Sequence, residues 1–167
     1  PDLGVTTALA LDGSAGGPTV PAIAVQFGIA TRHMAIARAE ALAARLKVGT
    51  ECRDIALGGI RHAGALERAD VLSAGEWLAL LTGLDALRRP ERLDAVLAIH
   101  EGWDSTGSAG RAGPERVRSR ARGALQALSG IDYAGVSIGD PAGVAKRVRE
   151  VRLAALNSWL AGTPAGD

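Results

Sequence analysis

Apolar residues recur every three and four positions along most of this chain, and that spacing is typical of one face of an α-helix. The clearest example is Ile36, Ala39, Leu42, Ala43 and Leu46. No alternating apolar and polar run between hairpin turns competes with it. Aromatic residues make up only 3% of the chain, so the core must be built from Ala, Leu, Val and Ile, which suits closely packed helices. The sequence therefore predicts an all-α helical bundle.

Signals for helix starts divide this bundle into about six helices. Ser73 and Glu76 form a capping-box pair, in which a hydroxyl and a carboxylate each accept a hydrogen bond from an otherwise unpaired backbone N–H. Pro90, Pro114 and Pro141 suit a first helical turn, because the N–H that proline lacks would have no helical partner there.

The first predicted helical stretch begins after Pro21 and ends near Val48 and Gly49, since glycine is a common helix stop. Thr50 is then the predicted cap of the next helix. Trp77 and Trp159 stand at helical spacing and are predicted to lie in the core.

The length of 167 residues suits one domain. Residues 1–20 contain a Gly/Ser/Pro cluster and no basic residue, which predicts a loop or a loosely ordered lead-in. Residues 21–162 are the predicted helical domain, with Gly162 and Pro164 at its end. The chain begins at Pro1 and its one methionine is Met34, so we expect a piece of a longer protein.

No segment has the pattern of a membrane span or a signal peptide. The longest weakly polar stretch, VPAIAVQFGIAT, is far shorter than the ~20 apolar residues that a span requires, and no basic region precedes it. We therefore expect a cytoplasmic protein without a membrane partner.

Residues with catalytic chemistry are few and scattered. His33, His62 and His100 lack the spacing of metal ligands, and Cys52 has no partner cysteine, so it is predicted to be a buried thiol. No Asp-x-Asp pair is present to hold Mg²⁺, and no Gly-x-Ser-x-Gly elbow is present to mount a nucleophile. We predict no catalytic residue and no metal site in this chain.

Positive charge is concentrated in the second half of the chain. Residues 1–85 carry seven Lys/Arg and nine Asp/Glu, a net of −2, whereas residues 86–152 carry twelve and eight, a net of +4. Exposed arginines on helices attract phosphate groups, which predicts a nucleic-acid partner. The predicted RNA-binding residues are Arg88, Arg89, Arg92, Arg116, Arg118, Arg120, Arg122, Lys146, Arg149 and Arg152. The alternative is a solvated surface with intrahelical pairs such as Lys146 with Glu150.

Three segments carry a resemblance to a known family. In order, TECRDIAL (50–57), LDALRRPERLDAV (84–96) and AKRVREVRLAALNSW (145–159) resemble the C-terminal half of bacterial CCA-adding tRNA nucleotidyltransferases, the multifunctional CCA proteins that carry an HD phosphohydrolase domain. The resemblance covers residues 22 to about 160. DALRRPER is its most specific part.

The resemblance implies an α-helical body and tail that help to hold tRNA while C, C and A are added to its 3′ end. It also implies a nucleotidyltransferase head in the same longer protein, N-terminal to this region. Mg²⁺ and CTP or ATP are implied for a full-length family enzyme, and no cofactor is implied for this chain alone.

Two departures from the family pattern concern the HD site. Arg32 and His33 stand where the family has its His-Asp pair, and an arginine would oppose a metal cation. After RRPER, only Glu101 matches the family's acidic stretch. Two alternatives to tRNA binding therefore stay open: a residual HD-type phosphohydrolase that uses His33 and His62, and a non-catalytic helical assembly domain.

Overall fold

The computed structural model describes residues 22–104, 113–134 and 141–162, and within these ranges the chain is helical without a strand. The all-α prediction is thus confirmed, with seven helices in the described ranges. They are α1 (Ala22–Thr31), α2 (Ile36–Arg45), α3 (Thr50–Leu66), α4 (Ala74–Gly83), α5 (Pro90–Asp104), α6 (Pro114–Ser129) and α7 (Pro141–Gly162). The predicted lead-in, residues 1–20, lies outside the described residues.

The additional helix arises because the first predicted helical stretch is broken at residues 32–35. α1 packs against α3 and α5, whereas α2 packs against α3, so the chain must turn between them. Thr31 is fully buried at the end of α1, and its hydroxyl donates a hydrogen bond of 2.8 Å to the carbonyl of Phe27. No glycine or proline marks this turn, which is why the sequence pattern did not reveal it.

The helix-start predictions are confirmed at α4 and wrong in one detail at α3. The Ser73 hydroxyl accepts a hydrogen bond from the Glu76 N–H at 3.3 Å, and the Glu76 carboxylate accepts one from the Ser73 N–H at 2.9 Å. Pro90 and Pro114 are the first residues of their helices, as predicted. At α3 the N-cap is Gly49, without a side-chain hydrogen bond, and Thr50 is already helical.

One apolar cluster contains buried residues of α1 and of α3 to α7, whereas the buried alanines of α2, Ala39 and Ala43, are not part of it. Trp77 of α4 is fully buried, as predicted, and its ring meets the half-buried Trp159 of α7 edge-on at a centroid distance of 5.9 Å. α1 and α5 approach so closely that a Cβ atom on Gly28 would overlap the Ile99 side chain. Of the helices that the structure describes, none has the length and apolar character needed to cross a membrane.

Candidate nucleic-acid interface

The ten predicted RNA-binding residues lie in three groups on different elements. The first group is at the connection between α4 and α5, the second is on α6, and the third is on α7. Six of the ten form ion pairs of 3.6 Å or less with a carboxylate: Arg89, Arg92, Arg116, Arg118, Arg120 and Arg122. Most of the predicted surface is thus partly neutralised by acids.

Glu51 of α3 binds two arginines of the first group, and we name this arrangement the Glu51 clasp. Arg92 donates two hydrogen bonds to its carboxylate, at 2.6 and 2.8 Å, and Arg89 donates one at 2.9 Å. The hydrogen bonds from Arg92 hold the pKa of Glu51 below its ordinary value, and those same bonds raise the pKa of Arg92. The clasp joins the TECRDIAL segment to the LDALRRPERLDAV segment, so two of the three family-like motifs meet in space.

Arg88 is placed differently from its two neighbours. Its side chain is 81% exposed, and its nearest carboxylate is that of Asp85 at 3.8 Å. A contact of that length between exposed groups contributes little energy, so Arg88 is available to an external anion.

Two arginines of α6 connect that helix to α5. Arg118 donates a hydrogen bond of 2.7 Å to Glu101, and Arg122 donates one of 2.9 Å to Asp94. The hydrogen bond with Glu101 raises the pKa of Arg118. These pairs lie along the contact between α5 and α6 and orient the two helices.

The other two arginines of α6 flank a single carboxylate. Asp70, in the connection after α3, lies 3.5 Å from Arg116 and 3.6 Å from Arg120. Arg120 is only 7% exposed, and its guanidinium group lies over the Trp159 ring at 6.0 Å from the centroid. A buried cation of this kind is required for packing and is hidden from a phosphate chain.

The third group, on α7, contains two exposed cations, Lys146 and Arg149, and the half-buried Arg152. The Lys146 side chain is 78% exposed and lies 4.0 Å from Glu150, as the intrahelical alternative predicted. Arg149 is exposed and has no carboxylate partner among the described residues. Arg152 donates a hydrogen bond of 3.1 Å to the Tyr133 hydroxyl, and its guanidinium lies 5.8 Å from that ring's centroid.

Arg149 and Arg152 line a groove of 460 Å³ between α4 and α7, which we name the α4–α7 groove. Small residues of α4, including Gly75, Ala79 and Thr82, line its other side. Among the described residues, no carboxylate lines this groove. The α4–α7 groove therefore combines open space, two guanidinium groups and a positive local potential.

A larger cavity, of 630 Å³, lies between α2, α3 and α5 and has mixed charge. Arg53 and Arg61 line it together with the carboxylates of Asp54 and Glu40, which lie within 3.0 and 4.0 Å of them. Arg92, which also lines the cavity, is bound by Glu51, so each cation here has a carboxylate partner. This cavity consequently offers an anion less net attraction than the α4–α7 groove.

The histidines do not come together. His33 follows α1 and accepts a hydrogen bond of 2.7 Å from Arg32, while His62 lies on α3 and His100 is buried on α5. Burial lowers the pKa of His62, and the charge of Arg61 lowers it further. Within the ranges that the structure describes, no three His, Cys, Asp or Glu side chains form a metal-ligand group.

Sequence reasoning missed the acids that hold the arginines. Glu51, Asp94 and Glu101 lie 17 to 41 residues from their partners, so no helical spacing rule could pair them. One feature of the sequence could have drawn attention to Glu51: it is part of the TECRDIAL segment that carries the family resemblance.

Comparison with known proteins supports that resemblance. The chain is 36% identical over 124 residues to the multifunctional CCA protein of Aromatoleum aromaticum, covering 72% of this chain and 30% of that protein. It is 30% identical over 160 residues to the protein of the same name from Dechloromonas aromatica, and the match covers 90% of this chain and 37% of that protein. To the multifunctional CCA protein of Cupriavidus necator it is 33% identical over 157 residues, which cover 88% of this chain and 36% of that protein.

The chain spans only about a third of the length of these curated relatives. No protein-family model matches it, and no solved structure matches it. The identities and the coverage show that this chain is related to the multifunctional CCA proteins over about one third of their length, consistent with their C-terminal region.

Proposed function

We propose that this chain is a tRNA-binding helical region that holds tRNA for 3′-end processing of the CCA-adding type. The observation that carries the proposal is the α4–α7 groove, where Arg149 and Arg152 are accessible and no described carboxylate competes for them. Relatives named multifunctional CCA proteins support tRNA as the RNA in this proposal.

The chemistry of the groove suits a sugar-phosphate chain. Guanidinium groups bind phosphate oxygens in pairs, and each neutralised phosphate releases counterions. The small side chains of Gly75 and Ala79 allow a backbone to approach α4 closely, and the Thr82 hydroxyl can donate to a phosphate or a 2′-hydroxyl. Lys146, one turn before Arg149, extends the positive surface along α7.

This proposal divides the ten predicted residues by whether a carboxylate lies within 3.6 Å of the side-chain cation, which is so for six of them. Lys146, Arg149 and Arg152 are the first contacts with RNA, and Arg88 is a further one. The remaining six form ion pairs with carboxylates of other parts of the bundle and thereby stabilise it. RNA contact by these six stays a prediction. The HD-type phosphohydrolase and the assembly domain also stay predictions.

We further propose that Mg²⁺ and the nucleotides CTP and ATP bind to another part of a full-length family protein. The described residues of this chain bring together no carboxylates or histidines that fit a metal ion. The role of this chain in the reaction is to bind and orient the RNA.

The test is a titration of tRNA with the full chain at several salt concentrations. For Lys146→Ala with Arg149→Ala, we expect the slope of log K against log salt to become less steep by about 1.8, from about 0.9 for each lost contact. The matched control is Arg53→Ala with Arg68→Ala, which removes the same charge from two arginines that form ion pairs of 3.0 and 3.3 Å with Asp54 and Glu76. Wild-type binding that is absent or insensitive to salt would refute the proposal.

A further inference from the structure

A second set of accessible cations lies on α2, in the half of the chain whose net charge is negative. Arg38, Arg45 and Lys47 are all exposed, and none of them pairs with a carboxylate among the described residues. Arg38 and Arg45 line a shallow cavity of 370 Å³ together with Met34 and Leu42, and no described acid lines it. We name these three cations the α2 basic face.

The backbone of Lys47 is a separate observation that points to this face. Lys47 follows the end of α2 with φ of 54°, in the left-handed region where glycine is favoured. The N–H groups of Lys47 and Val48 close the helix on the carbonyls of Ala44 and Ala43, at 3.2 and 2.9 Å. Glycine is the usual residue at this position of such a helix end, so a lysine here carries a backbone cost.

The spacing of the two arginines favours an extended anion. They lie seven residues apart, about 10 Å along the helix at about 1.5 Å per residue, so a single phosphate cannot bridge them. Two phosphates of one chain can bind to them separately. An acidic protein segment is disfavoured, because Met34 and Leu42, which line the cavity beside the arginines, are half-buried and offer little apolar area for docking.

We propose that the α2 basic face is a second phosphate-binding surface for the same RNA, separate from the α4–α7 groove; this rests on the proposed tRNA-binding function. α2 packs against α3, whereas α7 packs against α4 and α6, so the two surfaces belong to different parts of the bundle. Two linked contacts on one RNA raise its affinity above that of either contact alone. The RNA is therefore held at two places on the domain.

The test is fluorescence anisotropy of labelled tRNA with the full chain, comparing three double variants with wild type. For Arg38→Ala with Arg45→Ala, we expect binding at 0.1 M salt to weaken on the order of 50-fold, with a salt slope less steep by about 1.8. The control, Arg53→Ala with Arg68→Ala, removes two cations that have carboxylate partners and is expected to bind like wild type. Lys146→Ala with Arg149→Ala is titrated in parallel.

The variant Lys47→Gly separates a role of Lys47 in RNA binding from a role in the helix end, because the two roles predict different changes in tRNA affinity. Glycine relieves the left-handed backbone, so the melting temperature should rise by a few degrees while tRNA binding weakens by about eightfold at 0.1 M salt. A higher melting temperature with unchanged binding would show that Lys47 serves the helix end alone.

The outcomes separate the two proposals. Loss of binding in the α7 variant with wild-type binding in both α2 variants overturns the second surface and leaves the proposed function intact. Loss in the α2 variants alone supports the second surface and refutes the α4–α7 groove. Absence of tRNA binding by wild type overturns both, and selective capture of an acidic peptide by the α2 basic face would replace RNA with a protein partner.

Discussion

Substituting Glu51 with alanine removes the carboxylate that holds α3 to the start of α5. The change leaves Arg92, whose side chain is 18% exposed, and Arg89, whose side chain is 46% exposed, without their hydrogen-bond acceptor. Because Arg92 is largely enclosed, it recovers little hydration when the acceptor is lost. We therefore expect the stability of the domain to fall.

The magnitude follows from the exposure of each contact. The bidentate pair with Arg92 contributes about 1.5 kcal/mol, at the lower end for hydrogen bonds to charged groups because Glu51 is 42% exposed. The exposed pair with Arg89 contributes about 0.5 kcal/mol. A loss of about 2 kcal/mol lowers the melting temperature of a domain of this size by about 4–8 °C.

Circular dichroism melts of wild type and Glu51→Ala at several pH values provide the measurement. The pKa of Glu51 is lowered in the folded state, chiefly by the hydrogen bonds from Arg92. The unfolded state therefore binds more protons between the two pKa values, and the contribution of Glu51 is complete above the unfolded value of about 4.3. The difference between the two proteins should shrink as the pH falls below that value and through the lower folded pKa.

Two results would refute this reasoning. A melting temperature within about 1 °C of wild type at pH 7 would show that the clasp contributes nothing to stability. Unchanged stability of Glu51→Ala together with several-fold tighter tRNA binding would show that Arg89 and Arg92 are RNA contacts that Glu51 restrains. We expect the opposite: lower stability and unchanged affinity of the folded protein.

Three further substitutions probe the packing. Arg120→Ala removes the buried cation beside Asp70 and should cost about 3 kcal/mol, measured by urea unfolding; a cost below about 1 kcal/mol would contradict its burial. Gly28→Ala forces a methyl group into Ile99, so we expect about 1–3 kcal/mol of destabilisation unless α1 moves outward. Ser73→Ala removes the hydroxyl of the capping box and should cost about 1 kcal/mol; an unchanged urea midpoint would refute the role of the cap.

Local chemistry in the sequence was sufficient for several helix starts and for the class of fold. The capping box at Ser73 and the prolines at positions 90 and 114 act through groups within one helical turn, so each could be recognised without a partner from elsewhere. The same locality explains the contact between Lys146 and Glu150, which are one turn apart. The family resemblance was likewise contained in three short segments.

The break after Thr31 was decided by tertiary packing. α1 packs on α3 and α5 while α2 packs on α3, so the chain changes direction between them. Positions 32–35 contain no glycine or proline that would have predicted this turn. Thr50 was predicted as a cap because threonine often serves as one, but the backbone enters α3 one residue earlier.

By itself, the sequence determined that this protein is all-α, where several of its helices begin, and that its second half is rich in arginine. Only the tertiary structure decided which of those arginines face solvent. Whether a guanidinium group is free depends on carboxylates that are distant in sequence and close in space, as Glu51 is to Arg92. That physical difference separates the cations that brace the bundle from those on α7 and α2 that are open to a phosphate chain.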